Sequence, residues 1–277
     1  MYEHDGKQQR DWRILRLRWL IVAALALTIS VLTAQGVSAQ TTPTCHGSAA
    51  TIVGTDGPDD LIGTPGVDVV ALLEGADTFD GLGGDDVVCG GNGKDLLVGG
   101  PGNDTLDGGR GNDELRGDLR SQGDVDYDGG DDTIIGGPGD SDRAGGDNAS
   151  LGGDASGNGG NDVISEAERV AGDNVAFVGV ASGDGGDDEI TGADGAVGDN
   201  NGTPGTGTGG DDTIVGTPQP NGVLIGDNSD EGSSGGDDHI FGLEGPDFLD
   251  GGPGTDECDG GPGKDRAANC ETLVAIP

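Results

Sequence analysis

The sequence predicts an all-β solenoid, a stack of very short parallel strands joined by glycine-rich turns with two strands per coil, on three observations. Residues 90–116 read GGNGKDLLV, GGPGNDTLD and GGRGNDELR, tandem nine-residue units with Gly at positions 1, 2 and 4, Asp at 6 and Leu at 8. A fixed short period of this kind is the signature of a stacked repeat. Within each unit the residue types divide the work: glycines allow a tight turn, and one apolar residue between polar neighbours makes a short strand with position 8 inward. The aromatic content is also too low for an ordinary globular core, because both Trp precede residue 40 and only Tyr127 and four Phe follow it. Any core must be a thin column of Val, Ile and Leu.

The first segment is of another kind. Arg10, Arg13, Arg16 and Arg18 precede an apolar run from Trp19 to Ala34, followed by the small residues Val37-Ser38-Ala39. This is the layout of a secretory signal peptide over 1–39, the alternative being an uncleaved membrane anchor. Either way the remainder is expected outside the cytoplasm, secreted. Residues 40–53 read as an N-terminal cap: Ile52 holds position 8, but Ala50 stands where Asp is expected, so the core continues without a carboxylate.

Counting in nines from Gly90 back to Gly54 keeps the frame, so 54–116 is one regular array. Position 6 is Asp59, Asp68, Asp77 and Asp86, and position 8 is Leu61, Val70, Phe79 and Val88. Some units lack the glycine pair (Gly63-Thr64, Leu72-Leu73), which weakens the turn while keeping the Asp. After Arg116 the frame breaks, and 117–241 is expected to hold irregular coils of the same solenoid. There GDN recurs at Gly146, Gly172, Gly198 and Gly226, and GG(N/D)D at Gly159, Gly185, Gly209 and Gly235. One strand follows the second motif (Ile164, Ile190, Ile214, Ile240), and another precedes GDN (Val170, Val197, Leu224). Each long unit is therefore read as one coil with an enlarged loop, and loops that grow on one face of a solenoid often form its binding face. Within the break, Asp124, Asp126, Asp128 and Gly129 match the first half of an EF-hand loop, but Ile135 stands where the bidentate Glu is needed. The run reads as an acidic insertion. Regular units return over 242–268, and 269–277 is expected to be a C-terminal tail.

Cys45, Cys89, Cys258 and Cys270 are an even set in a chain expected outside the cell, which favours disulfides over free thiols or, without CxxC spacing, zinc. Three pairings are possible. Position along the chain argues for Cys45 with Cys89 and Cys258 with Cys270, each closing one end of the array.

The chain carries 52 acidic and 13 basic residues, a formal net charge of −39. Such a chain repels nucleic acid and, once a signal segment is removed, anionic membrane, so neither is an expected partner. With two units per coil, Asp59, Asp77, Asp95 and Asp113 stack in one column and Asp68, Asp86 and Asp104 in another, roughly 4.8 Å apart. Carboxylates so close repel one another below any screening length, and positive charge must lie between them. All nearby donors are oxygens, carboxylates and turn carbonyls. That set suits a hard divalent cation, calcium better than magnesium, and ties folding to its binding.

On these residues, Gly54 to Arg116 and Gly242 to Asp265, the chain resembles the hemolysin-type calcium-binding repeat (RTX) family, whose GGxGxDxUx nonapeptide folds as a parallel β-roll. The resemblance implies multiple calcium ions held by position 6 and turn carbonyls. It names Asp59, Asp68, Asp77, Asp86, Asp95, Asp104, Asp113, Asp132, Asp238, Asp247, Asp256 and Asp265 as metal ligands. In the long units Asp147, Asp173, Asp199 and Asp227 are further candidates. No catalytic residues are expected: His46 and His239 lie far apart, and GxSxG, HExxH and a complete phosphate loop are all absent. The expected function is a secreted, non-enzymatic calcium-binding structural or surface-associated module. The alternative is an extracellular recognition or adhesin-type solenoid that presents the enlarged loops to a glycan, a cell surface or ice.

Overall fold

A computed structural model describes residues 42–118, 120–121, 125–126, 129–138, 141–147, 149–150, 155–156, 159–173, 175–176, 185–199, 208–219, 222–227 and 234–276. The expected signal peptide, and Asp124 and Asp128 of the acidic run, lie outside them. The described residues form no helix, and two parallel sheets dominate.

The first sheet runs through Ile52–Val53, Val69–Ala71, Val87–Gly93, Thr105–Gly111, Thr133–Ile135, Val163–Ser165, Glu189–Ala193, Thr213–Gly216, His239–Phe241, Glu257–Asp259 and Thr272–Val274. The second runs through Asp60–Ile62, Thr78–Asp80, Leu96–Val98, Glu114–Arg116, Arg143–Gly145, Arg169–Asp173, Gly195–Asp199, Val223–Asp227, Phe248–Asp250 and Arg266–Ala268. The chain alternates between them, and each strand pairs with the strand one coil later. Val70 lies beside Val88 and Val88 beside Leu106, eighteen residues apart, while Leu106 lies beside Ile134 and Ile134 beside Ile164. A variable coil length thus keeps a constant register, because added residues are confined to the turns.

That register puts position 8 of every unit inside. Val70, Phe79, Val88, Leu97, Leu106 and Leu115 form one cluster with Ile134, Ile164, Ile190, Ile214, Leu224, Ile240 and Leu249, all fully buried or nearly so. In one long coil the inward residue is Ala196, beside Val170 and Leu224, and the expected Val197 faces outward beside Ala171. A slip of one residue exchanges the faces of a strand, and only the pairing decides it.

The enlarged turns all lie on one edge. Between Asp118 and Gly129, Asp147 and Gly159, Asp173 and Gly185, Asp199 and Gly209, and Asp227 and Gly235, the chain makes an excursion before entering the first sheet. The excursions stack too: Arg120–Ser121 pairs with Ala149–Ser150, which pairs with Val175–Ala176, and Val125–Asp126 pairs with Ala155–Ser156. On the opposite edge two turns shrink: residues 166–168 separate Val163–Ser165 from Arg169–Asp173, and Asp194 alone separates Glu189–Ala193 from Gly195–Asp199.

Both ends are closed. At the first, Thr44–Cys45 and Ser48–Ala49 form an antiparallel hairpin whose turn residues His46 and Gly47 have φ of +46° and +83°, the handedness of a tight two-residue hairpin turn. Disulfides join Cys45 to Cys89 and Cys258 to Cys270, as position along the chain argues. The segment expected as a tail, 269–277, contains Thr272–Val274, which adds a rung beside Glu257–Asp259.

Candidate metal sites along the turns

Position 6 is the last turn residue before each strand, so the register that stacks the strands also stacks the Asp. On the edge entering the first sheet, the backbone N–H of Asp68 donates to Oδ1 of Asp86 at 2.8 Å, and the N–H of Asp86 to Oδ1 of Asp104 at 2.7 Å. The same bond links Asp104 to Asp132, Asp132 to Asp162, Asp162 to Asp188, Asp188 to Asp212, Asp212 to Asp238 and Asp238 to Asp256, at 2.7–2.9 Å. Glu271 ends the ladder, its Oε2 accepting the N–H of Asp256 at 2.9 Å. On the other edge the ladder joins Asp59, Asp77, Asp95, Asp113 and Asp142 at 2.7–2.9 Å, and returns with Asp247 and Asp265 at 3.0 Å. All twelve Asp named from the sequence stand in these two ladders. Asp142, Asp162, Asp188 and Asp212 stand there as well. The last three end the GG(N/D)D motif, so the signal for them was present in the repeat.

Each ladder bond uses one carboxylate oxygen and leaves the other. Oδ2 is buried without a hydrogen-bond partner at Asp77, Asp86, Asp95, Asp104, Asp113, Asp132, Asp162, Asp188, Asp212, Asp238, Asp256 and Asp265. These oxygens point into the turn, where glycine makes room. A Cβ on Gly90 would lie 2.6 Å from both Asp95 Oδ2 and the Gly108 carbonyl oxygen, and one on Gly108 would lie 2.8 Å from Asp113 Oδ2 and 2.7 Å from the Gly136 carbonyl oxygen. Position 1 is therefore glycine because its face borders a carboxylate oxygen and a carbonyl oxygen from the next coil.

The first two turns differ. The N–H of Thr55 donates to Asp59 Oδ2 at 2.6 Å and that of Thr64 to Asp68 Oδ2 at 2.7 Å. With Leu or Gly at position 2 the backbone is left-handed, as at Leu73 (φ +83°), Leu82 (+72°), Gly91 (+105°) and Gly109 (+88°), and Oδ2 goes without this donor.

In the long coils position 2 is Asp. The strand continues through Asp173, Asp199 and Asp227, which pair with one another, because an excursion follows in place of a sharp turn. One oxygen of each position-2 Asp is fixed by the glycine N–H that closes the excursion: Gly130 to Asp118 at 2.9 Å, Gly160 to Asp147 at 2.6 Å, Gly186 to Asp173 at 2.7 Å, Gly210 to Asp199 at 2.6 Å and Gly236 to Asp227 at 2.8 Å. The other, Oδ1, is buried without a hydrogen-bond partner in all five.

The electrostatics follow from burial. Desolvation pushes the carboxyls of Asp86 and Asp113 up to about 6, Asp104 to about 7, and Asp132 and Asp238 to about 9. Asp162, Asp173, Asp188 and Asp212 rise well above the usual range, from burial first and the charge of neighbouring Asp second. Among the described residues His46 pairs with Asp107 and Arg116 with Glu114. A buried polar atom without a partner costs about 1–3 kcal/mol, more when charged, and a domain's net stability is about 5–15 kcal/mol. A dozen such oxygens exceed that margin, so a positive species belongs among them. Carboxylate and carbonyl oxygens at flexible geometry are the donor set of calcium.

The family model described as RTX calcium-binding nonapeptide repeat (4 copies) matches residues 53–88, 90–119, 128–141, 206–220 and 233–267. No curated protein and no solved structure matches the chain. The matched stretches are the turns and strands that carry the position-6 ladders. Over those stretches the chain carries RTX calcium-binding nonapeptide repeats, and these repeats fold as a calcium-binding β-roll.

Proposed function

We propose that the chain works outside the cell as a non-enzymatic structural module whose β-roll forms when calcium is bound. The observation that carries this reading is the series of buried Oδ2 atoms without a hydrogen-bond partner, repeated at twelve turns, most of them beside glycines that also border carbonyl oxygens of the next coil. Asp77, Asp86, Asp95, Asp104, Asp113, Asp132, Asp238, Asp247, Asp256 and Asp265 hold the ions together with those carbonyls. In all of them but Asp247, whose Oδ1 accepts the Gly222 N–H instead, the ladder bond fixes the carboxylate plane, so Oδ2 is aimed before an ion arrives. Bound calcium supplies the positive charge that lets neighbouring carboxylates stack. Asp59 and Asp68 instead staple the first two turns through Thr55 and Thr64. Export is supported by the basic, then apolar, then small-residue order of 1–39 and by two disulfides. Absence of catalysis is supported by the way the acidic side chains are occupied in ladders and by the separation of His46 from His239 in the sequence. Titrating calcium into EDTA-treated protein should convert a disordered circular dichroism spectrum into a β-sheet one; a spectrum indifferent to calcium refutes the proposal. The confinement of the excursions to one edge favours a second reading, a recognition solenoid that displays them to a surface or glycan.

A further inference from the structure

We propose that the long coils build a row of four cation sites of a second type, in which Asp at position 2 turns the nonapeptide site into a carboxylate triad. The proposal rests on the calcium-dependent roll and deepens it. One oxygen each from Asp118, Asp132 and Asp147 lies within 4.8 Å of the other two, and the same holds for Asp147, Asp162 and Asp173, for Asp173, Asp188 and Asp199, and for Asp199, Asp212 and Asp227. All nine residues are at most 2% exposed. Independently of the clustering, each has one oxygen fixed by a backbone N–H and a second, buried oxygen without a hydrogen-bond partner. Such carboxylates are presented for an ion. The second and third triads lie wholly within 142–205, outside the stretches the nonapeptide family matches.

The composition of the row indicates the charge of its occupant. Each coil adds one position-2 and one position-6 carboxylate, two negative charges per rise of roughly 4.8 Å. One hard divalent cation per coil neutralises them, and calcium accepts an all-oxygen set of this flexibility. Cations at that spacing repel one another unless anionic ligands lie between them. Asp147, Asp173 and Asp199 each belong to two triads and supply that bridge. The row stops where position 2 reverts to glycine: Gly100 precedes it and Gly252 follows it.

Sharing gives the test. The full chain, loaded with excess calcium and desalted, is assayed for ions per molecule by plasma mass spectrometry, with circular dichroism recorded on the same samples. Asp173→Asn, in two triads, should lose two ions relative to the parent, whereas Asp162→Asn and Asp227→Asn, each in one triad, should lose one. An unchanged count in Asp173→Asn, with the parent loaded, overturns the triads and leaves the calcium roll standing; equal losses in Asp173→Asn and Asp227→Asn overturn the sharing. A parent that binds no calcium overturns the roll itself. Should Asp173→Asn fail to fold in excess calcium, Asp227→Asn at the end of the row decides alone, and an unchanged count there overturns the proposal.

Discussion

Asp104→Asn and Asp68→Asn are the same chemical change at the same repeat position, one coil-pair apart, and the structure assigns them different costs. Asp104 is buried, its Oδ1 accepts the Asp86 N–H at 2.7 Å, and its Oδ2 has no hydrogen-bond partner. Asparagine keeps the ladder acceptor and loses the charged oxygen offered to calcium. An ion that binds only the folded state stabilises it by about 2.7 kcal/mol when calcium is at 100 times its dissociation constant. Losing that ion at Asp104 should therefore cost about 2–3 kcal/mol at saturating calcium, and less as calcium is lowered. At Asp68, Oδ2 already accepts the Thr64 N–H at 2.7 Å, a bond an amide oxygen can also accept, so the change should cost less than about 1 kcal/mol at any calcium concentration. Urea unfolding of both variants, followed by circular dichroism at several calcium concentrations, measures the two. Equal costs, or a cost at Asp104 that does not depend on calcium, would show that the oxygen without a partner is not an ion ligand.

Without calcium the fold should be favoured by acid. Folding raises the carboxyls of Asp86 and Asp113 to about 6 and Asp104 to about 7, so the folded roll binds protons more tightly than the unfolded chain. The resulting stability is full below about pH 4 and is lost as pH rises through about 6 to 7. In EDTA, β-structure should appear at pH 4 and disappear by pH 8, and full structure at pH 8 in EDTA contradicts the linkage. Glycine substitutions should separate by position. Gly111→Ala, at φ +154° with its Cβ driven into the Gly93 carbonyl oxygen, should cost more than about 3 kcal/mol, while Gly66→Ala, with nothing within 4 Å, should stay within about 0.5 kcal/mol, both by urea unfolding in calcium.

Much of the fold was legible because the period is short and the chemistry of each position is narrow. Leu106 is inward because it is the one apolar residue between Thr105 and Asp107, and Asp104 precedes the strand because the glycine turn ends there. In the long coils GDN reads as a motif of its own, spaced from GG(N/D)D. It is in fact positions 1 and 2 of an expanded unit, with the remaining positions carried beyond an excursion of variable length. Counting in nines cannot cross such an excursion, so it does not join Asp162, Asp188 and Asp212 to the ladder, and it points to Val197 where Ala196 faces inward. The closing rung at Thr272–Val274 was missed for a related reason. Its turn has lost the glycines, and Glu271 takes the place of the usual Asp.

What the sequence by itself determined is everything local to a nonapeptide: the turn that only glycine can make, the inward aliphatic residue, the carboxylate ahead of each strand, and the two disulfides that their positions suggest. Tertiary structure decided which oxygens of successive coils meet. Whether Oδ2 goes without a partner, as at Asp104, or is closed off, as at Asp68, depends on the sign of φ at position 2. Whether Asp147, Asp162 and Asp173 form one site depends on parallel register across coils of unequal length. The physical reason is that the strands are held by pairing to the coil before and after, so residues far apart in the chain meet at one rung, and the excursions change the sequence distance between ligands without changing their separation in space.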